Sequence, residues 1–151
     1  MKSKNQHTIL KTKNLFIGYQ SKKTTTIVAS NINLNLQKGE LIGLVGGNGV
    51  GKSTLLRTIT NVQPILHGEI SIHNKPINQY AAKDLAKVQS LVLTEQIASK
   101  NLSVFELIAL GRQPYTNWVG NLSNQDLEII NKAISQTNIE SLKFKRCFEL
   151  S

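Results

Sequence analysis

Acidic residues are scarce in this chain: nine Asp and Glu stand against eighteen Lys and Arg over 151 residues, a formal net charge of +9. Such an excess suits an anionic partner, either nucleic acid or the anionic face of a membrane. The basic residues are nonetheless scattered. They form only short pairs such as Lys22-Lys23 and Lys145-Arg146, with no stripe interleaved with aromatics, so no nucleic-acid partner is expected. A single cysteine, Cys147, excludes an internal disulfide and a cysteine-built zinc cluster and reads as a small packed side chain. No apolar run approaches the roughly 20 residues that span a bilayer. Residues 1–7 lead into no signal-peptide core, which predicts a cytoplasmic chain. There is no internal repeat and no low-complexity segment. The length and the 40% hydrophobic content fit one domain with a real core.

Glycine is placed where it matters most. Gly46-Gly47-Asn48-Gly49-Val50-Gly51-Lys52-Ser53 fits the phosphate-loop pattern G-x-x-x-x-G-K-[ST] at every required position, which predicts binding of a nucleoside triphosphate. Glycines let consecutive backbone N–H groups turn inward on a polyanion without a Cβ in the way. Lys52 is the candidate for the β- and γ-phosphates, and the Ser53 hydroxyl for the Mg²⁺ that bridges them. Thr54 could add a hydroxyl near the α-phosphate. Context agrees with the motif. Leu41-Ile42-Gly43-Leu44-Val45 reads as a strand of the kind buried on both faces in a parallel sheet. Residues 53–61 contain no Gly or Pro and put Leu55, Leu56 and Ile59 on one helical face, so a helix N-terminus points at the phosphates.

Ahead of the loop, Ile32, Leu34 and Leu36 alternate with Asn31, Asn33 and Asn35, the period of a half-buried strand. Residues 15–17 and 26–28 read as strands around a polar loop at 20–25. The front of the chain is therefore expected to be an antiparallel layer. Beyond the helix, 69–73 alternates again, Asn74-Lys75-Pro76 turns the chain, and 90–94 reads as a further buried strand. From about residue 99 the pattern becomes helical. Ser103 with Glu106 makes a capping box ahead of 104–110, with Gly111 placed to end that helix. Ser123 with Asp126 opens another, with Leu127, Ile130 and Ile134 on one face.

This order of features resembles the ATP-binding subunit of ABC transporters over essentially the whole chain. The resemblance implies an α/β phosphate-loop NTPase (RecA-like) core with an N-terminal antiparallel β layer at 1–98, and the start of an α-helical subdomain at 99–151. Tyr19, 27 residues before the loop, stands where the family places an aromatic residue that stacks on adenine. Residues 91–96, Leu-Val-Leu-Thr-Glu-Gln, resemble the strand into the family's Q-loop, whose glutamine contacts Mg²⁺ and the attacking water. Here Glu95 takes the glutamine position and Gln96 follows it, and either side chain can ligate Mg²⁺. Residues 109–118, Ala-Leu-Gly-Arg-Gln-Pro-Tyr-Thr-Asn-Trp, look like the matching stretch in importers of iron-siderophore complexes, haem and cobalamin.

The resemblance further implies ATP and Mg²⁺ as cofactors, transmembrane permease subunits and a second ATP-binding subunit as partners, and indirect work with a substrate-binding protein. It places the subunit at the cytoplasmic face of the membrane. The final Glu149-Leu150-Ser151 looks like the beginning of the family's Leu-Ser-Gly-Gly-Gln signature. The expectation is thus a sequence cut inside that motif, without the catalytic glutamate and competent at best to bind nucleotide. Residues 41–45 are then expected to lack strand partners. Three rivals stand beside this reading: a nucleic-acid-associated ABC ATPase, a phosphate-loop enzyme outside the family such as a small-molecule kinase, and a natural short protein that binds nucleotide without hydrolysis.

Overall fold

The computed structural model describes residues 7–92 and 101–150. The chain divides into two compact units, residues 1–91 and 92–151.

The first unit is built on one long strand. β1 (Thr8–Gln20) is flanked on one edge by β2 (Thr25–Ile32) and β3 (Asn35–Gln37), and on the other by β4 (His67–Ile72), which pairs in turn with the short β5 (Lys75–Pro76). Every pairing is antiparallel; the layer expected for the front of the chain is present, and β4 and β5 extend it. At thirteen residues β1 is about twice the usual strand length. It serves two partners in succession: its second half pairs β2, with Tyr19 opposite Thr26, and its first half pairs β3, with Leu10 opposite Leu36.

The run from Asn31 to Leu36 is therefore not one strand. The chain kinks at Asn31, whose φ is 54°, in the left-handed region that asparagine tolerates. The Asn33 amide donates to the Asn31 carbonyl, while the Asn33 side-chain oxygen accepts from the Asn14 N–H at 2.9 Å. Buried Thr12 closes the gap. Its hydroxyl donates to the Ile32 carbonyl and accepts from the Leu34 N–H, both at 2.9 Å. The backbone groups freed by the kink are thus satisfied.

Leu15, Ile17, Ile70, Ile72, Ile77 and Leu85 form the core, with Leu55 and Ile59 packed against it from α1 (Lys52–Ile59). The buried positions of α1 are Thr54 and Thr58, and Leu56 is exposed. The inward face thus runs through Thr54, Leu55, Thr58 and Ile59 and leaves out the predicted Leu56. A helix that the alternation did not reveal, α2 (Ala82–Val88), buries Leu85, and just after it Gln89 donates to the Thr60 carbonyl at 2.8 Å.

Residues 41–45 are a correction. They form no strand, and Leu41 and Val45 are 100% and 90% exposed. An apolar run becomes a buried strand only when neighbours pair both its edges, and among the described residues no strand pairs with it. Residues 90–92 likewise form no strand, while 93 and 94 lie outside the described residues.

The second unit contains α3 (Val104–Leu110) and α4 (Asn124–Gln136), with short 3-10 turns at Gln113–Tyr115, Glu140–Leu142 and Cys147–Leu150. Both predicted capping boxes are present, Ser103 with Glu106 and Ser123 with Asp126. Gly111 does follow α3, but in right-handed helical conformation with φ −63°. Ile130 and Ile134 are buried on α4, and Leu127 stays at the surface. The start of α3 is tied to the end of the chain, where Val104 N–H donates to the Lys145 carbonyl and Cys147 N–H to that of Leu102. Cys147 is half-buried.

Candidate functional site

The phosphate loop connects the unpaired segment 41–45 to α1. Gly49 and Gly51 have φ of 80° and 104°, conformations that side-chain-bearing residues avoid. Gly51 is constrained twice over, because a Cβ there would lie 2.5 Å from Val28 Cγ1 on β2. The loop is thereby seated on the antiparallel layer.

Gly51 is also the N-cap of α1, and it supplies no side-chain cap; the first turn carries no acidic residue. The first backbone N–H groups of a helix have no partner within it. With neither cap nor carboxylate they remain available to an anion, and the helix dipole favours one. Lys52 folds back over the loop, its ammonium donating to the carbonyls of Gly46 at 2.9 Å and Gly47 at 2.8 Å. The charge is thus held inside the curl of residues 46–51. Ser53 is exposed at the start of the helix.

The hairpin of β1 and β2 brings Tyr19 to the same place. Its hydroxyl lies 3.1 Å from that of Thr54. Thr54 is 5% exposed, and its carbonyl accepts from Thr58 at 2.7 Å. The Thr54 hydroxyl therefore faces Tyr19. The Tyr19 side chain stays half open to solvent, and beside it Gly18, Gln20, Arg57, Val62, Gln63 and Leu66 contribute to a cleft of about 290 Å³. Gln63 closes the back of the cleft by donating to the Gly18 carbonyl. The structure accordingly gathers Tyr19, the loop residues Gly46, Gly47, Asn48, Gly49, Val50 and Gly51, and Lys52, Ser53 and Thr54. Glu95 and Gln96 lie outside the described residues.

In the second unit the structure links two features that the sequence presented separately. Arg112 Nε donates to Asp126 Oδ1 at 2.7 Å, and the guanidinium lies 3.9 Å from the centroid of the Tyr115 ring. The other carboxylate oxygen of Asp126 accepts from the Ser123 hydroxyl and N–H. These bonds to Ser123, and then the one from Arg112, hold the Asp126 carboxyl down at about 2. Glu106 is lowered in the same way by its backbone and hydroxyl bonds from Ser103, with a smaller contribution from Arg146. Asp126 thus caps its helix and clamps the turn at 112–115 against it. A periodicity reading sees the cap alone, and the available sign of the clamp was an arginine fourteen residues upstream. Trp118 is 97% exposed and Tyr115 49%, so neither is a core residue.

A glycine loop over an uncapped helix, with a lysine folded across it and an antiparallel layer ahead of it, defines the class: a phosphate-loop α/β protein. The chain belongs to the ABC transporter family, whose model matches residues 29–151. It is 39% identical over 143 residues to an uncharacterized ABC transporter ATP-binding protein of Methanocaldococcus jannaschii, covering 95% of this chain and 48% of that protein. It is 36% identical to the petrobactin import ATP-binding protein of Bacillus anthracis (80% and 44% covered) and 32% identical to the ferric enterobactin transport ATP-binding protein of Escherichia coli (76% and 42% covered). The chain thus spans about half the length of the curated relatives it matches.

Among solved structures, a nucleotide-free ATP-binding cassette from an ABC transporter superposes with a TM-score of 0.73 at 24% identity, covering 95% of this chain and 59% of that one. A Pyrococcus furiosus protein described as an ABC transporter ATP-binding protein superposes with a TM-score of 0.70 at 29% identity, covering 94% and 62%. The family and fold implied by the sequence resemblance are therefore found. Among the described residues, no helix is long and apolar enough to cross a membrane.

Proposed function

We propose that the chain is the nucleotide-binding portion of the ATP-binding subunit of an ABC importer, coupling ATP binding and hydrolysis to uptake of an iron chelate. The observation that carries this reading is the open N-terminus of α1 behind the glycine loop, with Lys52 held at its centre. MgATP supplies the hydrolysable phosphoanhydride. The N–H groups of residues 46–51 and of the first turn of α1 cradle the phosphates, while Lys52 exchanges its two carbonyl partners for phosphate oxygens. Ser53 is the protein's own ligand for Mg²⁺, and Glu95 or Gln96 a further one. Tyr19 offers its exposed ring to the adenine.

Names of relatives support the cargo class: petrobactin, iron(3+)-hydroxamate and ferric enterobactin transport. Haem and cobalamin are the less supported cargoes. The expected partners are permease subunits and a second ATP-binding subunit in a head-to-tail pair, with the protein peripheral at the cytoplasmic face of the membrane. The proposed division of roles keeps nucleotide contacts in 1–98 and partner contacts in 99–151.

Equilibrium binding of MgATP tests the site. Lys52→Ala should weaken binding at least tenfold while the circular dichroism spectrum stays unchanged. Equal affinities would refute the assignment. Loss of radiolabelled ferric-siderophore uptake on disrupting the gene tests the cargo class.

A further inference from the structure

The charge excess is confined to one unit: residues 1–91 contain twelve Lys and Arg against three acidic residues, and residues 92–151 contain six against six. Two of the three acids of the first unit are occupied, and the third lies across the sheet from a lysine. Glu40 accepts from the Gln37 N–H, Asp84 pairs with Lys87 at 3.2 Å, and Glu69 stands opposite Lys13 across β1 and β4. Lys22 and Lys23 differ from the other basic residues in where they sit. They form the tip of the β1–β2 hairpin, immediately beyond Tyr19, both exposed and with no ion pair to any described acidic residue.

The tip is a built turn. Ser21 N–H donates to the Thr24 carbonyl at 2.8 Å, the Ser21 and Thr24 hydroxyls lie 2.9 Å apart, and Ser21 Oγ accepts from the N–H groups of Lys23 and Thr24. The roots of both lysines are thus fixed to the strand end that presents Tyr19. Lys22 is three residues beyond Tyr19. At about 3.3 Å per strand residue this is roughly 10 Å, close to one Debye length at about 0.1 M salt.

We infer that Lys22 and Lys23 form an electrostatic capture site that draws the polyphosphate of the incoming nucleotide toward Tyr19 and the loop, setting the association rate without contacting the bound phosphates. The inference rests on the nucleotide reading above. Charges one Debye length from a bound ligand act mainly on encounter, because the complex itself is held by short-range contacts that they do not make. For a ligand carrying about two to four negative charges, two lysines at this distance in water raise the encounter rate about three- to tenfold.

Stopped-flow binding of a fluorescent methylanthraniloyl-ATP with Mg²⁺ tests this. Lys22→Gln/Lys23→Gln should slow association about three- to tenfold at about 0.1 M salt, leave dissociation within about twofold, and match the wild type near 1 M salt, where the Debye length is about 3 Å. The control Lys11→Gln/Lys38→Gln removes the same charge from the opposite end of the sheet, where Lys11 pairs with Asn35 of β3, and should change the rate less than twofold. An equal loss in the control would assign the effect to net charge and overturn the tip. So would a double variant with unchanged association, while wild-type binding that still depends on Lys52 leaves the nucleotide reading standing. Absence of any Lys52-dependent binding overturns both.

Discussion

Replacing Gly51 by alanine separates two constraints that the loop places on one residue, provided Gly49→Ala is measured beside it. Both glycines have positive φ, and holding an L-residue there costs about 1–2 kcal/mol. They differ in what surrounds the missing side chain. A Cβ at Gly49 would meet nothing within 4 Å, whereas at Gly51 it would lie 2.5 Å from Val28 Cγ1. Gly49→Ala should therefore destabilise by about 1–2 kcal/mol, and Gly51→Ala by a further 1–3 kcal/mol or so, the usual cost of overpacking. The sum is a large share of the roughly 5–15 kcal/mol that holds a domain together.

Urea unfolding followed by far-ultraviolet circular dichroism is the suitable assay. The single tryptophan, Trp118, lies in the other unit and is already exposed, so its fluorescence reports little about this loop. In a Val28→Ala background the extra penalty at Gly51 should shrink by about 1 kcal/mol or more, while Gly49→Ala costs the same in both backgrounds. Equal losses for the two alanine variants, or a Gly51 penalty indifferent to Val28, would refute the claim that the loop is seated on β2.

Tyr19→Ala should weaken MgATP binding about tenfold, in line with about 1–3 kcal/mol for base stacking, whereas Tyr19→Phe keeps the ring and should lose less than about threefold; calorimetric titration distinguishes them. The clamp in the second unit predicts a pH effect. Because the Asp126 carboxyl is lowered to about 2 by its bonds to Ser123 and Arg112, against about 3.9 in an unfolded chain, its stabilising contribution is complete above about pH 4. That contribution is lost as pH falls toward 2. Asp126→Asn should be less stable than wild type at neutral pH and converge on it in acid, read from the helical circular dichroism signal, and a constant gap across that range would contradict the assignment.

What the sequence revealed and what it concealed divide by how far apart the interacting residues lie. The phosphate loop and the two capping boxes are patterns closed within about eight residues, and the structure contains them as read. Strand-forming residues at 15–17 and 26–28 on either side of a polar loop likewise sufficed for the hairpin that delivers Tyr19. The kink at Asn31 was hidden because it depends on the hydroxyl of Thr12, about twenty residues earlier, supplying the two bonds that a continuous strand would have made. Apolar composition at 41–45 established only what that segment needs, since burial also requires strands on both edges. The clamp of Arg112 on Asp126 was concealed for a related reason. Asp126 already had a complete local explanation as the third residue of a capping box, and a carboxylate has a second oxygen that local reasoning leaves unassigned. At this oxygen the turn at 112–115 and α4 become one element. A sequence match confined to 109–118 therefore includes the arginine of that clamp and misses its carboxylate.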